Sequence, residues 1–477
     1  MIGNSAHKPS DLSFQLSYGI GGAVEGVVYT ALNFFLMFYM VVIIGLSPSL
    51  AGIILLISLV IDALTDPVIG SLSDNSRSPG GRRHSFMIVA IFPLCILLGL
   101  LFSIPSGLHE IILFIYVLLI NILLRLFLGI FAIPFLALSA ELWPDYQVRS
   151  RIALIRCFFF SLATIGILYM AFSMFFDSAE GISDASAYPL FGWVAALLAL
   201  LCGLFCWNST RGFKGYICDA GVPAGFSLRQ FLLDVAEMSR NGAFCRVVTG
   251  LLVAQAGTGI MFSMKLLTLT YFWKLSGDNI EAVMLAFPVG FFLGVPVAKM
   301  IISRVEKRTC IIISNVVMVL TYSFPAVFGF YGIIPVSSGL ASAVLMLAMG
   351  LIGLVSMTFA VAYFALIPDV VDEHDLMFNT RKEGVFFAVV VFSTKVSAGL
   401  GSVLAALGLS LIGFSDDLTT EVSTFPEDVA VKMVLLWGLA PAVFYLLSTI
   451  LFSGYRISKK RHAEILEKLA TRRATAV

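Results

Sequence analysis

Two carboxylates inside an apolar run are the residues of this chain best suited to chemistry. Asp62 and Asp66 stand in SLVIDALTDPVIGSLSD. A spacing of four puts both on one face of a helix, one turn apart. Such a pair can coordinate Na+ with nearby hydroxyl or carbonyl oxygens, Thr65 among them, or share a proton because like charges resist joint ionisation. The plainer alternative is an Asp satisfied by a neighbouring Arg, or Asp66 capping a break before Pro67. Five more ionisable residues, Glu25, Arg125, Arg156, Lys265 and Lys395, also sit deep in apolar stretches. In a bilayer each is costly unless it faces a cavity or a partner.

The elements that hold these residues follow from composition. Of 477 residues, 59% are hydrophobic and 12% charged, with a mean hydropathy of +0.98. Soluble domains are nearer half apolar and a quarter charged. Apolar runs of about 20 residues recur throughout, so the chain reads as a polytopic, all-α membrane protein rather than a barrel of short alternating strands. A formal net charge of +1 offers no basic face for nucleic acid. Seven cysteines (Cys95, Cys157, Cys202, Cys206, Cys218, Cys245 and Cys310) lack histidine at metal-ligand spacing and read as packing residues. The start MIGNSAHKPSDLSF has no basic n-region or cleavage site, so no cleaved signal peptide is expected.

Charge clusters and turn residues divide the chain into twelve spans: 14–44, 49–73, 85–104, 110–142, 150–176, 188–210, 244–274, 280–302, 309–332, 338–368, 383–414 and 430–455. The expected domains are an N-terminal six-helix bundle (1–210), a central cytoplasmic loop (211–243), a C-terminal six-helix bundle (244–455) and a basic cytoplasmic tail (456–477). Lys and Arg fall on alternate loops: Lys8; Arg77, Arg82 and Arg83; Arg149 and Arg151; Arg211, Lys214, Arg229, Arg240 and Arg246; Arg304, Lys307 and Arg308; Arg381 and Lys382; and the tail's Arg456, Lys459, Lys460 and Arg461. The loops 177–187 and 414–429 carry acids without a cation. Both termini are therefore expected in the cytoplasm. An internal echo runs at an offset of six spans, where PFLALSAELWPD ends the fourth and AYFALIPDVVD the tenth.

GSLSDNSRSPGGRRHS, after the second span, resembles the major facilitator signature, in which an Asp and basic residues latch helices. That resemblance gives Asp74, Arg82 and Arg83 a gating role. LSYGIGG, DALTDPVIGSLSD, PFLALSAELWPDYQVRSRIALIR and PDVVDEHDLMFNTRKEGVFFAVVVFSTK are similar to the glycoside–pentoside–hexuronide:cation symporters, the melibiose permease-like branch of that superfamily. The resemblance implies a major facilitator fold of two six-helix bundles. It makes Asp62 and Asp66 cation carboxylates, and matches Arg156 and Lys395 to the family's fifth- and eleventh-helix cations. It also shows departures. Leu59 stands where members often carry Arg, Gly22 and Ala132 replace sugar-site acids, Leu136 replaces the aromatic beside the second of them, and Glu25 lies one turn beyond Gly22. FFAVVVFSTKVSAGLGS is also similar to the lysolipid carriers of the superfamily.

These readings converge on a secondary-active symporter in the cell membrane, driven by Na+ or H+, that imports a small polar glycoside or sugar derivative by alternating access. The cargo is anionic in one version, because Arg125, Arg156, Lys265 and Lys395 outnumber the acids left after the Asp pair is neutralised. Tyr18, Glu25, Arg125, Arg156, Tyr363 and Lys395 form the expected substrate set; Tyr29 and Trp273 are further aromatics, Trp273 favouring the interface. The runner-up is a lysolipid or other amphiphile carrier. No catalytic triad or nucleotide loop argues for an enzyme, and a transport-like sensor is the remaining rival. No cofactor beyond the coupling cation is expected. The partners are a small-molecule substrate and the bilayer, and the expected functional unit is a monomer.

Overall fold

In the computed structural model, residues 11–76, 78, 81–105, 107–143, 146–177, 181–212, 228–380, 383–414 and 425–475 are described. Lys8, Arg77, Lys214, Cys218, Arg381 and Lys382, with the acids Glu180, Asp416, Asp417 and Glu421, lie outside them. Among the described residues, twelve helices are long and apolar enough to cross a membrane. They are α1 (Leu12–Ile43), α2 (Pro48–Asn75), α3 (His84–Leu101), α4 (Glu110–Leu142), α5 (Tyr146–Met170), α6 (Ala187–Thr210), α7 (Gly242–Tyr271), α8 (Gly277–Arg304), α9 (Lys307–Phe330), α10 (Gly339–Phe378), α11 (Glu383–Leu411) and α12 (Glu427–Ser453). Two non-spanning helices accompany them: a linker helix, Leu228–Met238, within the expected central loop, and a tail helix, Lys459–Thr475.

The expected spans and the helices agree to within a few residues, with one informative exception. The tenth span was expected to end at 368, but α10 runs 40 residues to Phe378. At about 1.5 Å per residue it is roughly twice the length needed to cross the hydrocarbon. Its last turns are amphipathic and rich in acids, and the partners of those acids, described below, let the helix continue past Pro368. Asn379, at φ 55°, closes it in the left-handed conformation that Asn tolerates.

The chain forms two compact units, one of 1–226 with 276–281 and the other of 227–275 with 282–477. In the first, α1 packs on α5 and α6, α2 on α4, and α3 on α4 and α6. In the second, α7 packs on α11 and α12, and α9 on α10 and α12. Close glycine approaches join α8 to α10. Each of these first-unit pairs thus recurs six helices later, the structural form of the echo in the sequence.

Outward faces are as apolar as inward ones. On α4, Ile111, Ile112, Ile115 and Leu119 are exposed, while Val117, Asn121, Leu124 and Arg125 are buried. A helix that is hydrophobic all round is what a lipid environment requires. The helix interior can therefore be located from its few polar residues, and those define the site.

Candidate functional site

The seam between α2 and α4 is built from residues four apart on both helices. Ser58, Asp62, Asp66 and Gly70 line α2, and Asn121, Arg125, Gly129 and Ile133 line α4. At the first rung Asn121 Nδ2 donates to Ser58 Oγ at 3.1 Å, across 63 sequence positions, and Ser58 Oγ donates to the Leu55 carbonyl. At the third, a Cβ placed on Gly129 would lie 3.4 Å from Asp66 Oδ1, and at the fourth one on Gly70 would lie 3.8 Å from Ile133. Between these, Asp62 and Arg125 stand at the same offset of 63 positions, and both are 8% exposed. Thr65 donates its hydroxyl to the Asp62 carbonyl at 3.1 Å. Pro67 removes the amide that would bond the Ala63 carbonyl, leaving that backbone oxygen, one residue after Asp62, without its helical donor. The seam thus concentrates two carboxylates, a backbone oxygen and one buried guanidinium.

A second charged contact of the same unit joins α1 to α5. Gly19, Gly22 and Gly26 form a stripe of small residues against α5. A Cβ on Gly22 would stand 2.6 Å from the Arg156 carbonyl, so no acid fits at that position. Glu25, one turn along, is the residue that meets Arg156, with Oε2 3.2 Å from Nη1. Both side chains are partly exposed. Tyr18 is buried: its ring stacks on Phe135 and its hydroxyl donates to the Phe135 carbonyl at 2.8 Å. Tyr29 packs against Phe34 and Phe160.

The second unit carries the remaining expected residues. Tyr363 is buried on α10, stacked with Phe359 and edge-on to Phe452. Lys395 is half-buried on α11. Lys265, with no exposed surface, holds its ammonium 5.0 Å from the Phe262 ring centre and 5.7 Å from that of Phe287. Trp273 is fully buried against Phe272 rather than exposed at an interface. The structure therefore brings Asp62, Asp66, Thr65 and Arg125 together, joins Glu25 to Arg156 separately, and carries Tyr363 and Lys395 in the other unit.

The expected gating residues also form a cluster. Arg83 pairs with Asp74, bonds Ser73 Oγ at 2.8 Å and reaches Glu141 at 2.9 Å, while Arg82 pairs with Glu141. Glu141 lies in FLALSAE at the end of α4. Its counterpart in YFALIPD, at the tenth-helix echo, is Asp369, and Asp369 binds Lys307 at 2.8 Å. Lys307 also donates to the Ala365 carbonyl. Both echoed acids thus hold a cation at the start of the preceding helix. The acids beyond Asp369 bind elsewhere in their unit: Asp372 meets His462 at 3.0 Å and Asp375 meets Arg472 at 2.7 Å, both on the tail helix. His374 meets Glu237 of the linker helix at 3.2 Å. Sequence reasoning missed Ser58, Asn121 and this docked tail. A mid-span Asn and the acids at 369, 372 and 375 were the available signals.

With this geometry established, comparison with known proteins decides the class. The sequence pattern of the family described as MFS/sugar transport protein matches residues 17–459. The chain belongs to that family. It is a multi-pass membrane transporter, not an enzyme, and the resemblance to glycoside–pentoside–hexuronide:cation symporters agrees with the names of its relatives. The transporter is 24% identical to the putative glycoside/cation symporter YagG of Escherichia coli (strain K12), over 96% of this chain and 95% of that one. It is 23% identical to sodium-dependent lysophosphatidylcholine symporter 1 of Xenopus tropicalis, over 96% of this chain and 89% of the other. Among solved structures, an inward-open xylose transporter XylE from E. coli superposes with a TM-score of 0.63 at 14% identity, covering 96% of this chain and 99% of that one. At that identity the likeness establishes the fold, the major facilitator architecture.

Proposed function

We propose that this transporter is a cation symporter that imports a small polar glycoside or sugar derivative by alternating access, with Asp62 and Asp66 as the coupling site. The observation that carries this reading is the α2/α4 seam, where two carboxylates share a helix face beside a proline-released carbonyl. A bound Na+ or H+ neutralises the seam and favours substrate binding, and linkage makes that effect reciprocal. Glu25, Arg156, Tyr363 and Lys395 are assigned to the substrate. Arg156 and Lys395 select an anionic cargo, although Glu25 offsets part of the Arg156 charge. The bundles 1–210 and 244–455 are the moving bodies, the protein acts as a monomer in the cell membrane, and both termini are cytoplasmic. Asp74, Arg82 and Arg83 then form a cytoplasmic gate, with Glu141 as their common anchor.

A lysolipid cargo is the second reading, favoured by the relative named a lysophosphatidylcholine symporter. The deciding experiment is substrate counterflow in proteoliposomes with neutral glycosides, uronides, sulfonated sugars and lysolipids, each with and without Na+ and with an imposed pH gradient. Cation-stimulated exchange of a glycoside is the expected result. Exchange of lysolipid alone would replace the first reading with the second. Exchange of a glycoside indifferent to every cation would remove Asp62 and Asp66 from coupling.

A further inference from the structure

Along α1 a single polar row breaks an otherwise buried stretch. From Gly21 to Met40 every residue is buried except Glu25, Tyr29 and Asn33. A spacing of four stacks them on one face, about 12 Å from first to last. We infer that Asn33 is a substrate-recognition residue, whose amide reads a hydroxyl of the cargo two turns from the Glu25–Arg156 pair. This rests on the glycoside reading and adds to it a neutral contact specific for a hydroxyl.

Placement is the first support. Gly19, Gly22 and Gly26 bring α1 against α5, and α6 covers it as well. Only the row is left accessible. Surfaces that meet lipid are apolar in this protein, as the exposed Ile111, Ile115 and Leu119 of α4 are. A carboxylate, a phenol and an amide in file are too costly for hydrocarbon, so the row faces water or cargo. Asn33 lies ten residues, about 15 Å, before the end of its span. The second unit repeats the pattern: on α7, from Ala254 to Trp273, only Gln255, Thr258 and Phe262 escape burial. An accessible amide on an otherwise enclosed stretch of helix thus occurs in both units.

Unused hydrogen-bonding capacity is the second support. Asn33 Nδ2 donates to the Tyr29 carbonyl at 2.9 Å, which fixes the plane of the amide. Oδ1 and the remaining N–H have no partner among the described residues, leaving one acceptor and one donor side by side. A hydroxyl, which donates and accepts at once, is their natural complement. At the other end of the row Glu25 Oε2 meets Arg156 at 3.2 Å, while Oε1 is enclosed and accepts no hydrogen bond. An enclosed acceptor without a donor is costly, and a second hydroxyl of the same cargo relieves it.

Backbone shape is the third. Asn33 is the central residue of a five-residue π-turn, Ala31–Phe35. Such turns are rare, and they interrupt α-helices mostly at functional sites. An Asn that bonds back to its own helix is also disfavoured in a helix interior. Packing alone would favour an apolar residue at 33, like Leu32 and Phe34 beside it.

The test is counterflow by the full-length protein in liposomes, with methyl hexopyranosides and their monodeoxy analogues as probes. For the methyl glycoside that wild type exchanges best, removal of one hydroxyl should weaken apparent affinity about tenfold, and Asn33→Ala should weaken the parent by the same factor. Asn33→Ala should then no longer distinguish that deoxy analogue from the parent, while its discrimination at the other positions persists. The loss should fall on the half-saturating concentration more than on the maximal rate. Asn33→Gln keeps the amide but displaces it, and should also weaken the parent while retaining the wild-type size-exclusion profile and Tm. It carries the test if Asn33→Ala does not fold. A folded variant that loses affinity equally for the parent and every analogue would overturn the proposal, since that marks a bond needed only to brace α1. Unchanged affinity in both variants would overturn it as well. Failure of the glycoside reading has a different signature, wild type exchanging lysolipid and no glycoside, and it would remove both.

Discussion

Two helix pairs occupy the same place in the two repeats and are joined by opposite means. In the first unit α2 and α4 meet through Ser58 and Asn121 and through Asp66 and Gly129, with Asp62 and Arg125 at the same offset between them. In the second, α8 and α10 meet through Gly290 against the Gly350 carbonyl, Gly353 against the Phe287 carbonyl, and Gly294 against the Leu354 backbone. Bare backbones pressed together gain dispersion and leave no room for an ion. The α2/α4 seam instead carries polar and charged side chains, Ser58, Asp62, Asp66, Asn121 and Arg125, between the helices. Equivalent helix pairs are thus packed through bare backbone in one unit and through polar side chains in the other.

The largest expected effect breaks the glycine pair. Gly290→Ala with Gly353→Ala places methyl groups onto opposing carbonyls and should cost at least ~3 kcal/mol, since overpacking typically costs ~1–3 kcal/mol per site. Lost folded yield and a lowered Tm in detergent would show it. Gly129→Ala in α4 should fold, because its neighbours there are the ends of flexible side chains. Its effect belongs to cation affinity, measured in the same counterflow assay.

Next comes the chemistry of the polar pair. Asp66→Asn should abolish uphill accumulation while leaving stability close to wild type, because an amide cannot neutralise a bound cation. Accumulation at the wild-type level would remove the contrast between the two seams. Smaller again is Ser58→Ala. It leaves the buried Asn121 amide without its acceptor and should lower stability by ~1–3 kcal/mol, with coupling retained. Unchanged Tm would show that the first rung contributes nothing to register.

The smallest effect tests whether the repeats remain equivalent at their charged ends. Glu141→Gln and Asp369→Asn each release the cation at the start of the preceding helix. Each should change turnover a few-fold with substrate affinity largely intact, as measured by exchange rate against concentration. Unequal effects would mean that only one half gates.

Much of this was legible in the letters. The Asp62–Asp66 spacing fixed their common face, and the repetition of FLALSAE in YFALIPD pointed to equivalent helix ends before any coordinates. The neighbours of those faces were not legible. In helices apolar on every side, hydropathy gives depth but no direction, so which groups surround Arg125 could not be read from the letters. Glu25 emerged as the partner of Arg156 only because Gly22 lies too close to α5 to carry a side chain. The acids of PDVVDEHD looked like a loop because their partners, His462 and Arg472, lie about 90 residues later.

The constant offset of 63 positions along the α2/α4 seam has a thermodynamic consequence. The proposed cation site, braced by rungs of a single unit, would be carried through a transport cycle without being dismantled. Its intrinsic affinity for the cation should then be nearly the same whichever aqueous compartment it faces. Direction of transport would come from the difference in ion concentration across the membrane rather than from any weakening of the site. Uptake and efflux modes of one preparation should therefore give matching cation dissociation constants in the absence of substrate.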